Sequence, residues 1–317
     1  TCSFQYADLP ILKTTHPYIY KMIEPSQFYE HCKSSIQKSS NIHWVQDYIE
    51  KIDDKGNITG KASSYHAEWI FDSRPPDIST LLDNPNNHTL LQHFLGWRIK
   101  TNLTCFREDQ FTMMDFRVAE NRNTSFMYVL PFSDKEALIE YTFFDQHILN
   151  QEDYELKLST YIKNEFRTGG YEILSKEQGV IPMSDYPFHH QRSKKVIKIG
   201  AAGGWIKPSS GYSFKNCEKF ADRIIKNLQN KKHPSEGLIS SRHRFYDRVL
   251  LKILSERNNM GPKLFDSLYQ KNTLGMIFKF LDEESHFLED LNIMASFDSR
   301  PFLKAIAQLM LKGDLLS

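Results

Sequence analysis

The pattern of apolar and polar positions divides the chain into a strand-rich first part and a helical last part. Residues 1–24 show no period and read as irregular. Ser26–Ser35 puts Phe28, Tyr29 and Cys32 on one helical face, after the boundary signals Pro25 and Ser26. Ile42–Ile52 and Asn57–Lys61 read as a hairpin about the turn Asp53–Gly56. Tyr65–Phe71 reads as a further strand, which Pro75 and Pro76 bring to an end. Leu91–Lys100, Gln110–Val118, Ser125–Leu130 and Ala137–Phe144 are rich in β-branched and aromatic residues, with turn residues between them. They predict an antiparallel sheet with one face covered and one face lining a cavity. A helix over Asp153–Phe166 ends at Gly169-Gly170, and Tyr171–Met183 is extended. Val196–Ile199 is a short apolar strand that runs into Gly200-Ala201-Ala202-Gly203-Gly204. After Gly211 the spacing predicts helices over 212–229, 240–258, 262–270, 273–280, 284–293 and 299–312.

Composition narrows the class. With 317 residues, 40% of them apolar and 25% charged, the chain can form one large domain or two ordinary ones. A formal net charge of +1 gives no global pull toward nucleic acid. The aromatic share of 13% suits a large core or a pocket for an apolar ligand. The four cysteines are far apart and form no CxxC pair, which argues against a metal cluster or a disulfide framework and for a reducing, cytoplasmic setting. No apolar run approaches the roughly 20 residues that span a bilayer. The chain opens on Thr1 rather than Met, so its natural start is expected upstream.

Several segments could carry chemistry, and each has a plainer reading. Ile197–Phe214 delivers a glycine-rich loop to a helix start, where backbone amides favour an anion; the plain reading is an ordinary strand–loop–helix joint. Strand alternation puts Leu138, Glu140 and Thr142 on one face. If that face enters a pocket, desolvation raises the pKa of Glu140 and makes it a general acid; otherwise it is a solvated strand face. Phe94-Leu95-Gly96-Trp97-Arg98 is either a cavity wall or a strand with a bulge glycine. His189-His190 has no partner at metal-ligand spacing and reads as a surface loop. Arg242–Arg248 reads as a solvated basic helix face, with phospholipid or nucleic-acid contact as the alternative. Phe297–Leu316 carries an apolar stripe that packs on the core or enters a membrane surface.

Taken in order, these segments resemble the lycopene cyclase family of FAD-dependent enzymes. The resemblance rests on Phe71-Asp72-Ser73-Arg74-Pro75, Phe94–Ile99, Met114-Asp115-Phe116 with Phe126–Phe132, Leu138–Thr142 (LIEYT), Glu177–Met183 (EQGVIPM) and Gly200–Phe214. The family's opening GxGxxG segment, which cradles the FAD pyrophosphate, does not occur here. Tyr141 stands where many relatives carry a second acid, and Lys207 where plant-type relatives have His.

The resemblance implies a mixed α/β flavoprotein fold of the p-hydroxybenzoate-hydroxylase-like type, truncated at its N-terminus. Residues 1–76 would be the remainder of the FAD-binding domain and 77–190 a substrate-binding antiparallel sheet domain. Residues 191–230 would return to the FAD-binding domain, and 231–317 form a C-terminal helical region. It further implies cyclisation of lycopene end groups to β-ionone rings, a non-redox isomerisation that needs reduced FAD, with NAD(P)H as reductant. Glu140 would be the catalytic carboxyl and Glu177 a second one. Gly203, Gly204, Pro208, Ser209, Ser210, Gly211 and Tyr212 would adjoin the flavin, and Phe94, Trp97 and Phe126 the polyene. No metal is implied. A membrane-resident substrate implies peripheral docking at a membrane surface, with the C-terminal helices as the docking face. The alternatives are a flavin-dependent monooxygenase or isoprenoid reductase of the same fold, or a non-catalytic carrier of apolar ligands.

Overall fold

The computed structural model describes residues 1–7, 9–75, 77–119, 123–188 and 193–311. The His189-His190 pair and residues 312–317 of the apolar tail lie outside them. The strands are β1 (Cys2–Gln5), β2 (Ile11–Lys13), β3 (Ile49–Ile52), β4 (Asn57–Gly60), β5 (Ser64–His66), β6 (Ile70–Asp72), β7 (Thr89–Thr101), β8 (Phe111–Asp115), β9 (Thr124–Pro131), β10 (Glu136–Asp145), β11 (Tyr171–Ser184) and β12 (Val196–Lys198). The helices are α1 (Pro25–Gln37), α2 (Ile78–Leu82), α3 (Gln151–Glu165), α4 (Phe214–Gln229), α5 (Ser241–Glu256), α6 (Gly261–Lys271), α7 (Leu274–Leu281), α8 (Phe287–Ala295) and α9 (Ser299–Leu311).

One seven-stranded sheet, ordered β11-β7-β10-β9-β8-β1-β2, carries the candidate site. Its alternation sorts side chains onto two faces. Leu95, Trp97 and Ile99 of β7, Ala137, Ile139, Tyr141 and Phe143 of β10, and Met127 and Val129 of β9 point one way. There they pack against Tyr154, Leu158, Tyr161 and Ile162 of α3. Each such fully buried aliphatic side chain contributes about 1.5–3 kcal/mol. Asn150 caps α3 through its side-chain oxygen, and Glu152 and Asp153 favour the helix's positive end.

The opposite face carries Glu140. Toward the Phe144 end of β10 it is filled: Phe126, Phe144 and Met183 join Leu251, Leu254, Leu264 and Ile277 of the C-terminal helices in a second core. Toward Leu138 and Gly96 no buried apolar cluster among the described residues covers it.

Three expectations are corrected. Residues 1–24 are not irregular throughout, because β1 and β2 belong to the large sheet. β1 pairs in parallel with β8, Cys2 opposite Phe111. Two strands of four and three residues, Cys2–Gln5 and Ile11–Lys13, are too short to show a period, and the pairing that ties them to the large sheet lies more than a hundred positions away. The strand expected over Tyr65–Phe71 divides between two sheets. β5 completes a small sheet with β3 and β4, and β6 pairs in parallel with β12, Phe71 opposite Ile197. The Arg242–Arg248 segment is not a solvated face. Arg248 Nε pairs with the buried Asp185 at 2.9 Å, and Arg242 Nε with the buried Asp290 at 3.2 Å.

Candidate active site

The site is built on one row across four strands. Glu140 of β10 stands opposite Tyr128 of β9 on one side and Gly96 of β7 on the other. Gly96 in turn stands opposite Glu177 of β11. The next row reads Phe126, Thr142, Phe94 and Gly179. Because the period of a strand is 2, all eight positions share one face. Glu140 and Glu177 are therefore two strand spacings apart, about 10 Å between backbones.

Gly96 keeps the space between them. A Cβ there would meet Glu177 Cγ at 3.0 Å, Leu138 Cδ1 at 3.2 Å and Glu177 Oε1 at 3.3 Å. The Glu177 side chain thus leans across β7 toward Glu140. Gly179 has the same function one row on, for a Cβ there would lie 2.7 Å from the Phe94 ring.

Glu140 is deeply set. Desolvation pushes its pKa up to about 7; the Thr142 hydroxyl, which donates to Oε1 at 2.5 Å, opposes this, and the Glu177 charge adds to it. Glu177 is also raised, first by desolvation and then by Glu24. By surface exposure it is an open side chain on an edge strand, so solvent screens it more than it screens Glu140. Glu140 can thus hold a proton near neutral pH, beside a second carboxyl that is open to solvent.

A strap formed by residues 14–24 crosses this face beside the row. Its Tyr20 hydroxyl meets the Tyr128 hydroxyl at 3.0 Å, and its Glu24 accepts from Arg98 Nη1 at 2.9 Å. The strap escaped the sequence reading because its contacts are 108 and 74 residues away in the chain. Its one local sign is the aromatic and aliphatic run Tyr18-Ile19-Tyr20-Lys21-Met22-Ile23.

The glycine-rich loop approaches from the other side. Gly211, at φ 73°, lies directly on β7, where an added Cβ would be 2.0 Å from Gln92 Oε1. Tyr212 follows, its hydroxyl 3.5 Å from Met113 Sδ, near enough to Glu140 for the two to interact electrostatically. Ser210 donates its amide to the Lys207 carbonyl at 3.2 Å and so closes the turn. The remaining expected loop residues face elsewhere. Gly203 and Ser209 are buried. Gly204 and Pro208, with Lys207, line a cavity of about 540 Å³ between the loop and α5, which Glu140 does not reach. The Lys207 ammonium is spent on ion pairs, 3.1 Å from Asp247 and 3.2 Å from Glu283. Burial opposes its charge, but the two carboxylates outweigh burial and raise its pKa.

An added Cβ at Gly200 would meet nothing within 4 Å, and the first amides of α4 receive no side-chain cap from Ser213.

Of the three expected polyene contacts, two are on the Glu140 face. Phe94 flanks the row, and Phe126 forms part of the packed core that closes one end of it. Trp97 is on the opposite face, 5% exposed, in the core beneath α3. Positions 94 and 97 differ by an odd number, so a strand cannot present both to one ligand.

The family model for lycopene cyclase proteins matches residues 7–307. The chain belongs to the lycopene cyclase family. A lycopene beta-cyclase from a Paracoccus strain is 24% identical over 196 residues, 60% of this chain and 48% of that protein. The chain thus spans about half the length of the curated relative it matches. The fold is shared with a geranylgeranyl bacteriochlorophyll reductase-like protein from Thermoplasma acidophilum. The TM-score is 0.62 at 14% identity, over 99% of this chain and 82% of that one. A flavin-dependent brominase is similar at TM-score 0.52 and 12% identity, over 98% of this chain and 82% of that one. These family relations agree with a mixed α/β architecture in which a large sheet precedes C-terminal helices.

Proposed function

We propose that this chain carries the acid–base site of a carotenoid cyclase that converts the acyclic end groups of lycopene to β-ionone rings. The observation that carries the reading is Glu140, raised to about 7 in a family member, with Glu177 beside it across Gly96. Protonated Glu140 delivers its proton to C2 of the terminal double bond. The C5=C6 bond attacks the cation left at C1 and closes the ring. Glu177, as carboxylate, accepts the proton lost from C6. One proton enters and one leaves, so the step is an isomerisation with no net redox change. Thr142 orients the Glu140 carboxyl through its hydrogen bond. The rings of Tyr128, in the row, and of Phe94, in the next one, favour a developing cation.

Gly211, Tyr212 and the first amides of α4 would hold a reduced flavin, with NAD(P)H as its reductant. Bound there, the flavin would supply negative charge near the cation. Gly203, Gly204, Pro208, Ser209 and Ser210 would shape the loop that supports it.

Among the described residues no helix is long and apolar enough to cross a membrane. Leu288 of α8 and Leu303 of α9 are 73% and 63% exposed, which supports peripheral docking of the C-terminal helices on lipid. Removing residues 297–317 would also strip Ala305 and Leu309 from the core. Leu288→Asp with Leu303→Asp is the cleaner test, and liposome flotation equal to wild type would place docking elsewhere.

Expression in lycopene-producing bacteria, with whatever sequence precedes Thr1 in the gene, tests the cyclase reading. Cyclised pigment from the wild type and none from Glu140→Gln is the expected result. The similarity to the reductase-like protein and the brominase favours a second reading, a flavin-dependent reductase or monooxygenase. Substrate-dependent oxidation of NAD(P)H without ring closure would support it.

A further inference from the structure

Resting on the cyclase reading, we propose that a surface groove under the strap holds the unreacted polyene arm, with Tyr20 at its mouth as a specificity-determining residue. The groove has a volume of about 290 Å³; Tyr18, Ile19, Tyr20, Met22, Phe111 and Leu130 form its apolar side, and Thr1, Thr15, Glu108 and Asp109 make part of its wall polar.

Three observations point to a long apolar occupant that starts at Glu140. The first is continuity. Tyr128 is the ladder partner of Glu140, and its hydroxyl meets that of Tyr20, which stacks on Phe111 with ring centroids 4.1 Å apart. Leu130, two residues past Tyr128 on the same face of β9, is already in the groove. The step from the Glu140 row to the groove is therefore about 7 Å, one strand repeat.

The second is direction. A rod-shaped substrate whose end group sits over Glu140 can leave along the strands in two ways. Toward Thr142 the way is blocked by packed aromatic rings, Phe126 against Phe144 at 5.5 Å and Phe144 against Phe265 at 6.1 Å. Toward Leu130 it meets the groove.

The third is exposed apolar surface. Ile19 is 77% exposed, Tyr18 49% and Met22 42%, within five consecutive positions. A cluster of this kind marks a surface that something apolar covers. The phenol of Tyr20 stays neutral, since burial raises its pKa, and its hydroxyl is held by Tyr128. It presents a ring rather than a charge to the chain that passes it.

The test uses two narrowing variants, Leu130→Trp and Ile19→Trp, and two substrates. One substrate is lycopene; the other is a truncated acyclic carotenoid with the same end group and no long arm. Ile19 is an exposed strap residue, so its variant keeps the fold even if Leu130→Trp does not. The expected result is a fall of about tenfold or more in lycopene cyclisation, with the truncated substrate within about twofold of wild type. Equal losses on both substrates, or no loss on lycopene, would overturn the groove while the cyclase reading stands. A wild type that cyclises neither substrate would overturn the cyclase reading and the groove with it. Protection of the groove by a protein segment that precedes Thr1, seen as hydrogen-exchange protection of residues 18–22 unaltered by carotenoid, would also overturn it.

Discussion

Glu140 and Glu177 share one ladder partner, Gly96, from opposite sides of β7. The glycine adds no side chain of its own between them, and the space over it is shared by Glu177 and the end of Leu138. The two carboxyls differ in environment: the first is deeply set and raised to about 7, the second sits on the open edge strand. A carboxyl that keeps its proton near neutral pH beside a second, solvent-open carboxyl is the arrangement that an acid and a base working in one step require.

Glu140→Gln removes the acid without changing shape. Loss of a positioned general acid lowers the rate by about 100- to 10,000-fold. Pigment yield or turnover near the wild-type level would refute the assignment. Folding should survive, as judged by an unchanged circular dichroism spectrum.

The same group makes stability depend on pH. Its folded pKa, about 7, lies above the ordinary 4.5, so the folded state binds the extra proton between these values. The contribution is fully present below pH 4.5 and is lost as pH rises through 7, by an amount on the order of 3 kcal/mol. Between pH 5 and 8 the thermal midpoint of wild type should fall more steeply than that of Glu140→Gln. Parallel curves for the two proteins would contradict the raised pKa.

Gly96→Ala probes the space between the carboxyls. The new methyl group must displace the ends of two flexible side chains, Glu177 and Leu138, by a few tenths of an ångström. The fold should tolerate this, with a midpoint within a few degrees of wild type. Turnover should drop about tenfold or more, because small misplacements at a reacting centre are costly. An unaffected rate would show that the Glu177 position is immaterial.

Lys207→Met leaves the buried Asp247 and the partly buried Glu283 without their lysine. Breaking a buried pair in this way costs about 3–5 kcal/mol. The double variant Lys207→Met, Asp247→Leu should recover part of that loss in urea unfolding. No recovery, or no initial loss, would mean that the ion pairs do not hold the loop to α5 and to the turn after α7.

Phe94 and Trp97 should separate in their effects. Trp97→Phe thins the core under α3 and should cost about 1 kcal/mol or more of stability without changing the carotenoid product. Phe94→Ala should alter carotenoid binding with little change in midpoint. A product change from Trp97→Phe would argue against the face assignment.

The sequence by itself determined whatever local periodicity carries. The alternation over Ala137–Phe144 put Leu138, Glu140 and Thr142 together, and the helices after Gly211 fall close to their predicted places. The motif series identified the family, since collinear motifs survive where overall identity is low. Tertiary structure alone decided three things. It brought Gly96 and Glu177 into the Glu140 row, because register between strands is set by packing and turns, not by either strand's own pattern. It sent Trp97 to the far face, where parity overrides nearness in sequence. It laid the strap across the sheet, with Tyr20 on Tyr128 and Glu24 on Arg98, through contacts so distant in the chain that no window of sequence contains both partners.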